Sequence, residues 1–370
     1  VTTTAPSLNL FGLDRAGVER LFDAAGEARY RTAQLMKWVY HRGVRDYDGM
    51  TDLSKALRTR LAEISSTELP AVVREQRSSD GTRKWAVRVA NGNQVEAVLI
   101  PDRGRNTLCV STQVGCMLDC SFCSTGKQGF NGNLSAAEIV GQVWLVADAL
   151  RREGDARGVT NVVMMGMGEP LLNFDAAVTA AAIMMDDFAF GISKRRVTIS
   201  TAGVVPAIRR LIGVTDVSLA VSLHAPDDAL RDVLVPINRK YPIAELLAAC
   251  REYVDHLGDR RHVTIEYTLM RGVNDSLDHA RRLAALLSSL RCKINLIPFN
   301  PFPGTIYERP DEQVVRDFQT HLMQKGYATM LRTTRGEDIA AACGQLVGAV
   351  SDRTRRSARH RARIQTTEVA

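Results

Sequence analysis

The chain has 370 residues, of which 45% are hydrophobic and 24% charged, and a formal net charge of +7. Such a chain builds one large domain or two to three smaller ones, and its +7 suits a polyanionic partner such as nucleic acid. No run of about 18 uninterrupted apolar residues occurs, which speaks against a membrane span. Residues 1–10 lack a basic region followed by an apolar stretch, so a cytoplasmic protein is expected.

Three helical patterns come first. Asp14 can cap a helix whose Val18, Leu21 and Phe22 share a face. Leu35, Trp38 and Val39 repeat that spacing before Gly43, and Leu53, Leu57, Leu61 and Ile64 mark a third helix closed by Pro70. Trp85, Val87 and Val89 then alternate with polar residues as in a strand, and Asn91-Gly92 signals a hairpin turn leading into a strand over 95–100.

From residue 106 strands and helices alternate. Strands are predicted over 107–113, 161–165, 196–200, 217–222, 262–268 and 293–297, with helices over 136–152, 175–187, 243–257 and 276–290. Ser135 and Glu138 open the first of these helices as a capping box. Repeated βα units imply parallel strands with helices outside them, and six units point to a partial (β/α)6 barrel of the TIM type. A doubly wound open sheet is the competing arrangement. The α/β chain divides into a small helical N-terminal domain (1–70), a β-hairpin connection (71–105), a barrel core (106–350) and a basic tail (351–370). In that tail Arg353, Arg355, Arg356, Arg359, Arg361 and Arg363 face only Asp352 and Glu368. A segment so poor in apolar residues is expected to be disordered when free, either as a solubilising tail or as an RNA contact.

Seven cysteines occur: Cys109, Cys116, Cys120, Cys123, Cys250, Cys292 and Cys343. An odd count argues for metal or redox chemistry over a disulfide framework. The run Cys116-Met-Leu-Asp-Cys120-Ser-Phe-Cys123 packs three thiols into one loop after the first barrel strand. A cubane cluster has four irons and normally takes four cysteines, so three ligands leave one iron for a non-protein ligand. Zinc is the alternative, and it would want a fourth ligand, commonly from a second pair that this sequence lacks.

The CxxxCxxC loop resembles that of radical S-adenosylmethionine (SAM) enzymes. The chain as a whole resembles the RlmN/Cfr group of RNA adenosine methyltransferases, from about Arg31 to Gly344. The likeness lies in Trp38-Val-Tyr-His41-Arg-Gly, Val95-Glu96-Ala-Val-Leu-Ile, Cys109-Val-Ser-Thr-Gln-Val-Gly-Cys116, Gly166-Met-Gly-Glu169-Pro170, Ser222-Leu-His224, Pro298-Phe-Asn300-Pro-Phe-Pro-Gly304 and Ala342-Cys343-Gly344. The N-terminal segments Trp38–Gly43 and Met50–Leu57 look more RlmN-like than Cfr-like.

The resemblance implies a [4Fe–4S] cluster on Cys116, Cys120 and Cys123, with SAM chelating the open iron. It implies SAM contacts at Gly168, Glu169, Ser200, Ser222, Leu223, His224 and Asn300. Glycine lets backbone approach a ligand, and the Glu169 carboxylate can accept from an ammonium group. A strand-to-loop turn would also use these residue types. By the same resemblance Cys343 is a methyl carrier, because carbon 2 of adenine is too electron-poor to attack SAM and a thiolate is not. Two SAM molecules serve each turnover. One methylates Cys343, and the other yields a radical that takes hydrogen from the S-methyl group, whose carbon then adds to the adenine. Glu96, on one face with Val98 and Ile100, is implied as the base that takes the ring proton, and Cys109 as the thiol that releases the methylated RNA through a Cys109–Cys343 disulfide. Cys250 and Cys292 match no motif and are read as structural.

The expected reaction is therefore methylation of adenosine carbon 2 in 23S rRNA, and in tRNA. Carbon 8 methylation and a zinc-stabilised, non-catalytic RNA-binding protein are the rivals. The implied partners are RNA and an electron donor such as flavodoxin or ferredoxin, and the enzyme is expected to be a monomer. Arg31, Lys37, His41, Arg42, Lys194, Arg195 and Arg196 are candidate phosphate contacts, whereas Tyr30, Trp38 and Tyr40 read as core residues by their helical spacing.

Overall fold

Short apolar strands separated by turns assemble, from residue 71 onward, into one ten-stranded sheet in a computed structural model that describes residues 8–348 and Arg356. Apart from Arg356, the tail expected at 351–370 lies outside the described residues. The N-terminal helical region is tied at its ends by two short parallel strands, β1 (Leu8–Asn9) and β2 (Ser65–Ser66). β3 (Ala71–Arg77), β4 (Arg83–Arg88), β5 (Gln94–Asp102) and β6 (Arg105–Cys109) run antiparallel in sequence order. β7 (Gln113–Gly115) and β8 (Phe130–Asn133) form a separate ribbon. Parallel pairing then continues from β6 through β9 (Asn161–Met164), β10 (Val197–Thr201), β11 (Ser218–Ser222), β12 (Val263–Leu269), β13 (Cys292–Pro298) and β14 (Thr329–Leu331).

The fold is thus an α/β, mostly parallel sheet with helices outside, as the repeated units imply. Its parallel strands carry Val162, Val197, Ile199, Leu219, Val221, Ile265 and Ile294, all buried, because helices cover one face and the curled interior the other. The sheet is open, ending at β14 and β3. It curls nonetheless, since β5 and β6 face β13 and β14 across one cavity.

Several local expectations change. The predicted strand over 107–113 stops at Cys109; beyond it Val110 and Thr112 donate to Val163 and Met167, and Gln113 belongs to the ribbon. The hairpin around Asn91-Gly92 forms, with Gly92 at φ +82°, but a third strand, β3, flanks it and all three extend the barrel sheet. A seventh parallel strand, β14, and the helices Val205–Leu211, Asp228–Leu234 and Glu312–Gln324 also went unforeseen. Val205–Leu211 and Asp228–Leu234 span only seven residues each, too few to show a period, whereas Glu312–Gln324 does set Val315, Phe318 and Leu322 on one buried face.

The helices Ala136–Arg152 and Ile243–Leu257 have the predicted bounds, and the Ser135–Glu138 capping box is present. The N-terminal helices dock on the first of these through an aromatic cluster. Phe11 meets Tyr40 and Trp144 edge-on at 5.8 and 5.9 Å, and Trp144 Nε1 donates to the Val39 carbonyl at 2.8 Å. Trp38 and Tyr40 are core residues as expected, whereas Tyr30 is exposed, with the Arg31 guanidinium over its ring. No described helix is long and apolar enough to cross a membrane.

Candidate active site

The C-terminal ends of the parallel strands and the loop after β7 enclose a cavity of about 160 Å³. Cys116, Cys120 and Cys123 line it together, as their spacing requires. The loop turns back on itself because Gly115, at φ +70°, brings its Cα so close to Gly129 that a Cβ would collide with the Gly129 carbonyl. Burial raises the proton affinity of all three thiols, and mutual repulsion adds to it at Cys116 and Cys120. Backbone N–H groups oppose this, from Leu118 to Cys116 and from Thr125 and Gly126 to Cys123.

Facing the thiols are Ser200 and Ser222 at the ends of parallel strands and Gly168, Glu169 and His224 in the loops that follow such strands. Gly168 sits at φ +101°, and a Cβ there would come within 2.5 Å of the Gln113 side chain. Only glycine fits. Glu169 is buried; its Oε2 accepts from Ala202 N–H at 2.7 Å and its Oε1 from Leu171 N–H at 3.1 Å. Burial nevertheless pushes its pKa up to about 7. Leu223 is fully buried and is absent from the cavity wall; Asn300 lines a different cavity.

His224 takes a left-handed conformation at φ +58° and is buried with its ring edge 4.6 Å from Phe122, centroid to centroid. Its Nδ1 accepts from Thr268 N–H at 2.9 Å, so the neutral ring carries its proton on Nε2. Burial, with the Arg231 charge nearby, lowers its pKa to about 3. An unfolded histidine titrates near 6.5, so the folded state binds fewer protons between about 3 and 6.5. Stability contributed by this group is present above pH 6.5 and lost as the pH falls through that window. His224→Asn keeps an acceptor and tolerates the left-handed backbone. Denaturant titrations should show the parent losing about 2 kcal/mol more than this variant between pH 6.5 and 4.5; parallel pH profiles would refute the assignment.

A second cavity, of about 370 Å³, opens between β5–β6 and β13–β14. Cys109 projects into it from the end of β6, with Val98 and Ile100 of β5 beside it. Cys343 lines both cavities, as do Arg332, Met165 and Ile297. Cys343 thus stands on the wall that the two spaces share. Burial pushes the Cys109 thiol up to about 12, with the proximity of Cys343 the second cause. Arg332 Nη2 lies 3.9 Å from Cys343 Sγ, and Cys343 and Glu266 help hold the guanidinium protonated.

Glu96 shares its face of β5 with Val98 and Ile100 but lines neither cavity. Its Oε1 pairs with Lys84 Nζ at 3.1 Å, and its Oε2 accepts from Val347 N–H at 3.0 Å. Lys84 Nζ also donates to the Ala340 carbonyl at 3.2 Å. The pair therefore grips the Cys343 segment on both sides of the cysteine. Burial raises the Glu96 pKa, while Lys84 and the Val347 N–H pull it back.

Known proteins share this arrangement. Residues 110–284 match the radical SAM superfamily, and residues 8–66 match the N-terminal domain of ribosomal RNA large subunit methyltransferases. The chain is 59% identical over 361 residues to the dual-specificity RNA methyltransferase RlmN of Marinobacter nauticus, covering 97% of this chain and 98% of that one. This chain belongs to the RlmN family. Another RlmN, from Pseudomonas fluorescens, is 58% identical over 97% of this chain and 95% of its own length. A crystal structure of a radical SAM methyltransferase from Sphaerobacter thermophilus superposes with a TM-score of 0.85 at 46% identity, over 92% of this chain and 99% of that one.

As an RlmN-family member the chain is a radical SAM RNA methyltransferase, which excludes the non-catalytic reading. Enzymes of this kind carry a [4Fe–4S] cluster and use SAM. The residues present fit both groups. A single metal ion needs its donors gathered about one point, and no three His, Cys, Asp or Glu side chains converge so among the described residues. A four-iron cluster takes a thiolate at each of its protein-held corners, and three buried thiols lining one cavity supply three of them.

Two arginines beside this RlmN-family chain's cavities went unread in the sequence. Arg231 is fully buried and donates to the carbonyls of Ala202, Ser222 and Leu223 and to Asn238 Oδ1. Arg332 stands beside Cys343. Arginines abound in this chain, and neither lies in a recognisable motif; only the fold shows that Arg231 is buried and that Arg332 lines both cavities. Among the phosphate candidates, Lys194 is paired with Asp216 at 2.7 Å, Arg31 lies 3.7 Å from Glu27, and Arg42 stacks on Trp38 at 3.9 Å.

Proposed function

We propose that this enzyme methylates carbon 2 of an adenosine in 23S rRNA and in tRNA, using Cys343 as the methyl carrier. The observation that carries the reading is the position of Cys343 on the wall common to the cluster-side cavity and the cavity of Cys109. Cys116, Cys120 and Cys123 hold the cluster. Gly168, Glu169, Ser200, Ser222 and His224 hold SAM, with Glu169 accepting from its ammonium group and His224 donating from Nε2. Leu223 contributes through its backbone, and Asn300 from the neighbouring cavity. When bound, the cluster supplies the electron that cleaves SAM to a 5′-deoxyadenosyl radical.

The chain's own residues then act in order. The Cys343 sulfur takes a methyl group from a first SAM, releasing S-adenosylhomocysteine. The S-methyl group of Cys343, on the wall that faces the thiols, would give up one hydrogen to the radical that a second bound SAM supplies. The resulting carbon radical adds to carbon 2 of an adenine unstacked into the larger cavity. Loss of the ring proton and of one electron, which the oxidised cluster would accept, leaves a thioether between protein and RNA. Glu96 takes that proton once the Val347 N–H and Lys84 release it. Cys109 attacks the Cys343 sulfur, the carbon–sulfur bond breaks, the methylene takes a proton to become methyl, and a Cys109–Cys343 disulfide forms. An external dithiol reduces it, and a flavodoxin- or ferredoxin-type protein reduces the cluster. We take the enzyme to act as a monomer in the cytoplasm, its N-terminal helices (1–70) and the 71–105 strands framing the barrel core.

Anaerobic turnover of an rRNA fragment and a tRNA with methyl-labelled SAM, followed by nucleoside mass spectrometry, tests this reading. The expected product in both RNAs is 2-methyladenosine. Label on carbon 8 would reassign the site to Cfr-like chemistry, and label in rRNA alone would remove tRNA from the substrates.

A further inference from the structure

Arg356 reaches back over the cysteine loop. Its Nη1 donates to the carbonyls of Leu118 at 3.0 Å, Gly126 at 3.1 Å and Cys116 at 3.3 Å, and its Nη2 to that of Met117 at 3.4 Å. Four carbonyls of one short loop therefore turn outward onto a single guanidinium. The same loop turns N–H groups inward: Leu118 to the Cys116 sulfur, and Thr125 and Gly126 to that of Cys123. The peptide joining Met117 to Leu118 does both, with its N–H on a sulfur and its carbonyl on Arg356.

A peptide dipole held at its negative end by a cation keeps its positive end aimed at the sulfur. The guanidinium also adds a full positive charge outside the loop, while Arg231 and Lys127 act electrostatically on Cys120 and Cys123, and Glu169 and Asp119 bear on Cys120 with the opposite sign. A [4Fe–4S] cluster on three thiolates becomes more negative by one charge on reduction, so nearby cations and N–H···S bonds favour the reduced form.

We propose that Arg356 is a positioning residue for the iron–sulfur site, gathering the outward carbonyls of the cysteine loop and raising the reduction potential of the cluster. This rests on the assignment of the cluster to Cys116, Cys120 and Cys123. Arginine suits the task because its planar fork spans several acceptors and stays protonated, where a lysine offers one charged point.

The test compares the full chain with Arg356→Gln and Arg356→Lys after anaerobic reconstitution. Iron and sulfide are counted, and the cluster is titrated potentiometrically with its reduced signal followed by electron paramagnetic resonance. At a fixed potential the reduced-to-oxidised ratio should fall about tenfold in the Gln variant, which is about 59 mV for a one-electron couple. The Lys variant should lie between Gln and parent, and a chelator should strip the Gln variant's cluster fastest. A Gln variant with the parent's potential overturns the proposal. Should the Gln variant fail to fold by circular dichroism, the Lys variant decides: a lowered potential supports the role and an unchanged one overturns it. A parent chain that takes up no iron and sulfide would instead overturn the cluster assignment, and this proposal with it.

Discussion

Replacing Cys343 by Ala should abolish methyl transfer to RNA while leaving the cluster intact. The expectation follows from the division of labour between the two cavities. Cys116, Cys120 and Cys123 face one space and Cys109 the other, and Cys343 faces both. Removing its sulfur removes the proposed carrier of the methyl group, and no other described cysteine lines both cavities. SAM should still be cleaved, uncoupled from RNA, so chromatography should find 5′-deoxyadenosine but no methylated nucleoside. Cys109→Ala has a different expected outcome. Its Cys343 can still be methylated and can still add to adenine, but no thiol is placed to break the cross-link. Denaturing gels and intact-mass spectrometry should therefore show protein–RNA adduct accumulating with little free product. Methylated RNA released by Cys343→Ala at the parent's rate would end the carrier assignment.

The second large effect is expected at Arg231. Its guanidinium bonds three strand-end carbonyls, of Ala202, Ser222 and Leu223, at 2.6, 3.0 and 3.1 Å, and Asn238 Oδ1 at 2.8 Å. These carbonyls belong to the turns that follow β10 and β11, where Ser222, His224 and the Ala202 N–H to Glu169 reside. Burial pulls the Arg231 pKa down to about 10, still high enough for it to stay charged at neutral pH. Arg231→Leu would leave buried acceptors unpaired, and a lost charge-assisted network of this kind costs about 3–5 kcal/mol. Chemical denaturation should register that loss, and SAM affinity measured by calorimetry should fall with it. Arg231→Lys should recover only part, since a lysine cannot span carbonyls on two strands. A Leu variant within about 0.5 kcal/mol of the parent would show that water or neighbouring groups replace the guanidinium.

Much of this was legible beforehand because the informative residues are local. Three cysteines in eight positions point to metal or cluster chemistry within one loop, and Gly168-Glu169 after a strand suits either a ligand-binding or a plain strand-to-loop turn. The helix over residues 136–152 was equally plain, since its cap and its apolar face repeat within one segment. What escaped depends on contacts far apart in sequence. Arg231 and Arg332 became significant only once the sheet had curled, and the strand before Cys116 stopped short because residues 113–115 pair with β8 rather than β9. Glu96 was implied by resemblance, and its place on a strand face with Val98 and Ile100 holds, but its partners come from Lys84 and from Val347, more than two hundred residues away. Leu223 and Asn300 were implied by resemblance, and a shared motif says nothing about which cavity a side chain faces.

The shared wall has a consequence for how a dangerous reagent is contained. A primary carbon radical attacks almost any C–H bond within reach, including those of a ribose. Here the space that would generate it is lined by the thiols and the strand-end residues, and RNA would occupy the space beyond Cys343. If the only passage between the two is a methyl group on a sulfur, the nucleic acid never meets the first radical at all. It meets a tamer one, centred on a carbon tethered to the protein and able to travel no farther than a side chain can swing. Selectivity for one atom of one base would then be a matter of confinement, with the enzyme acting as its own reagent.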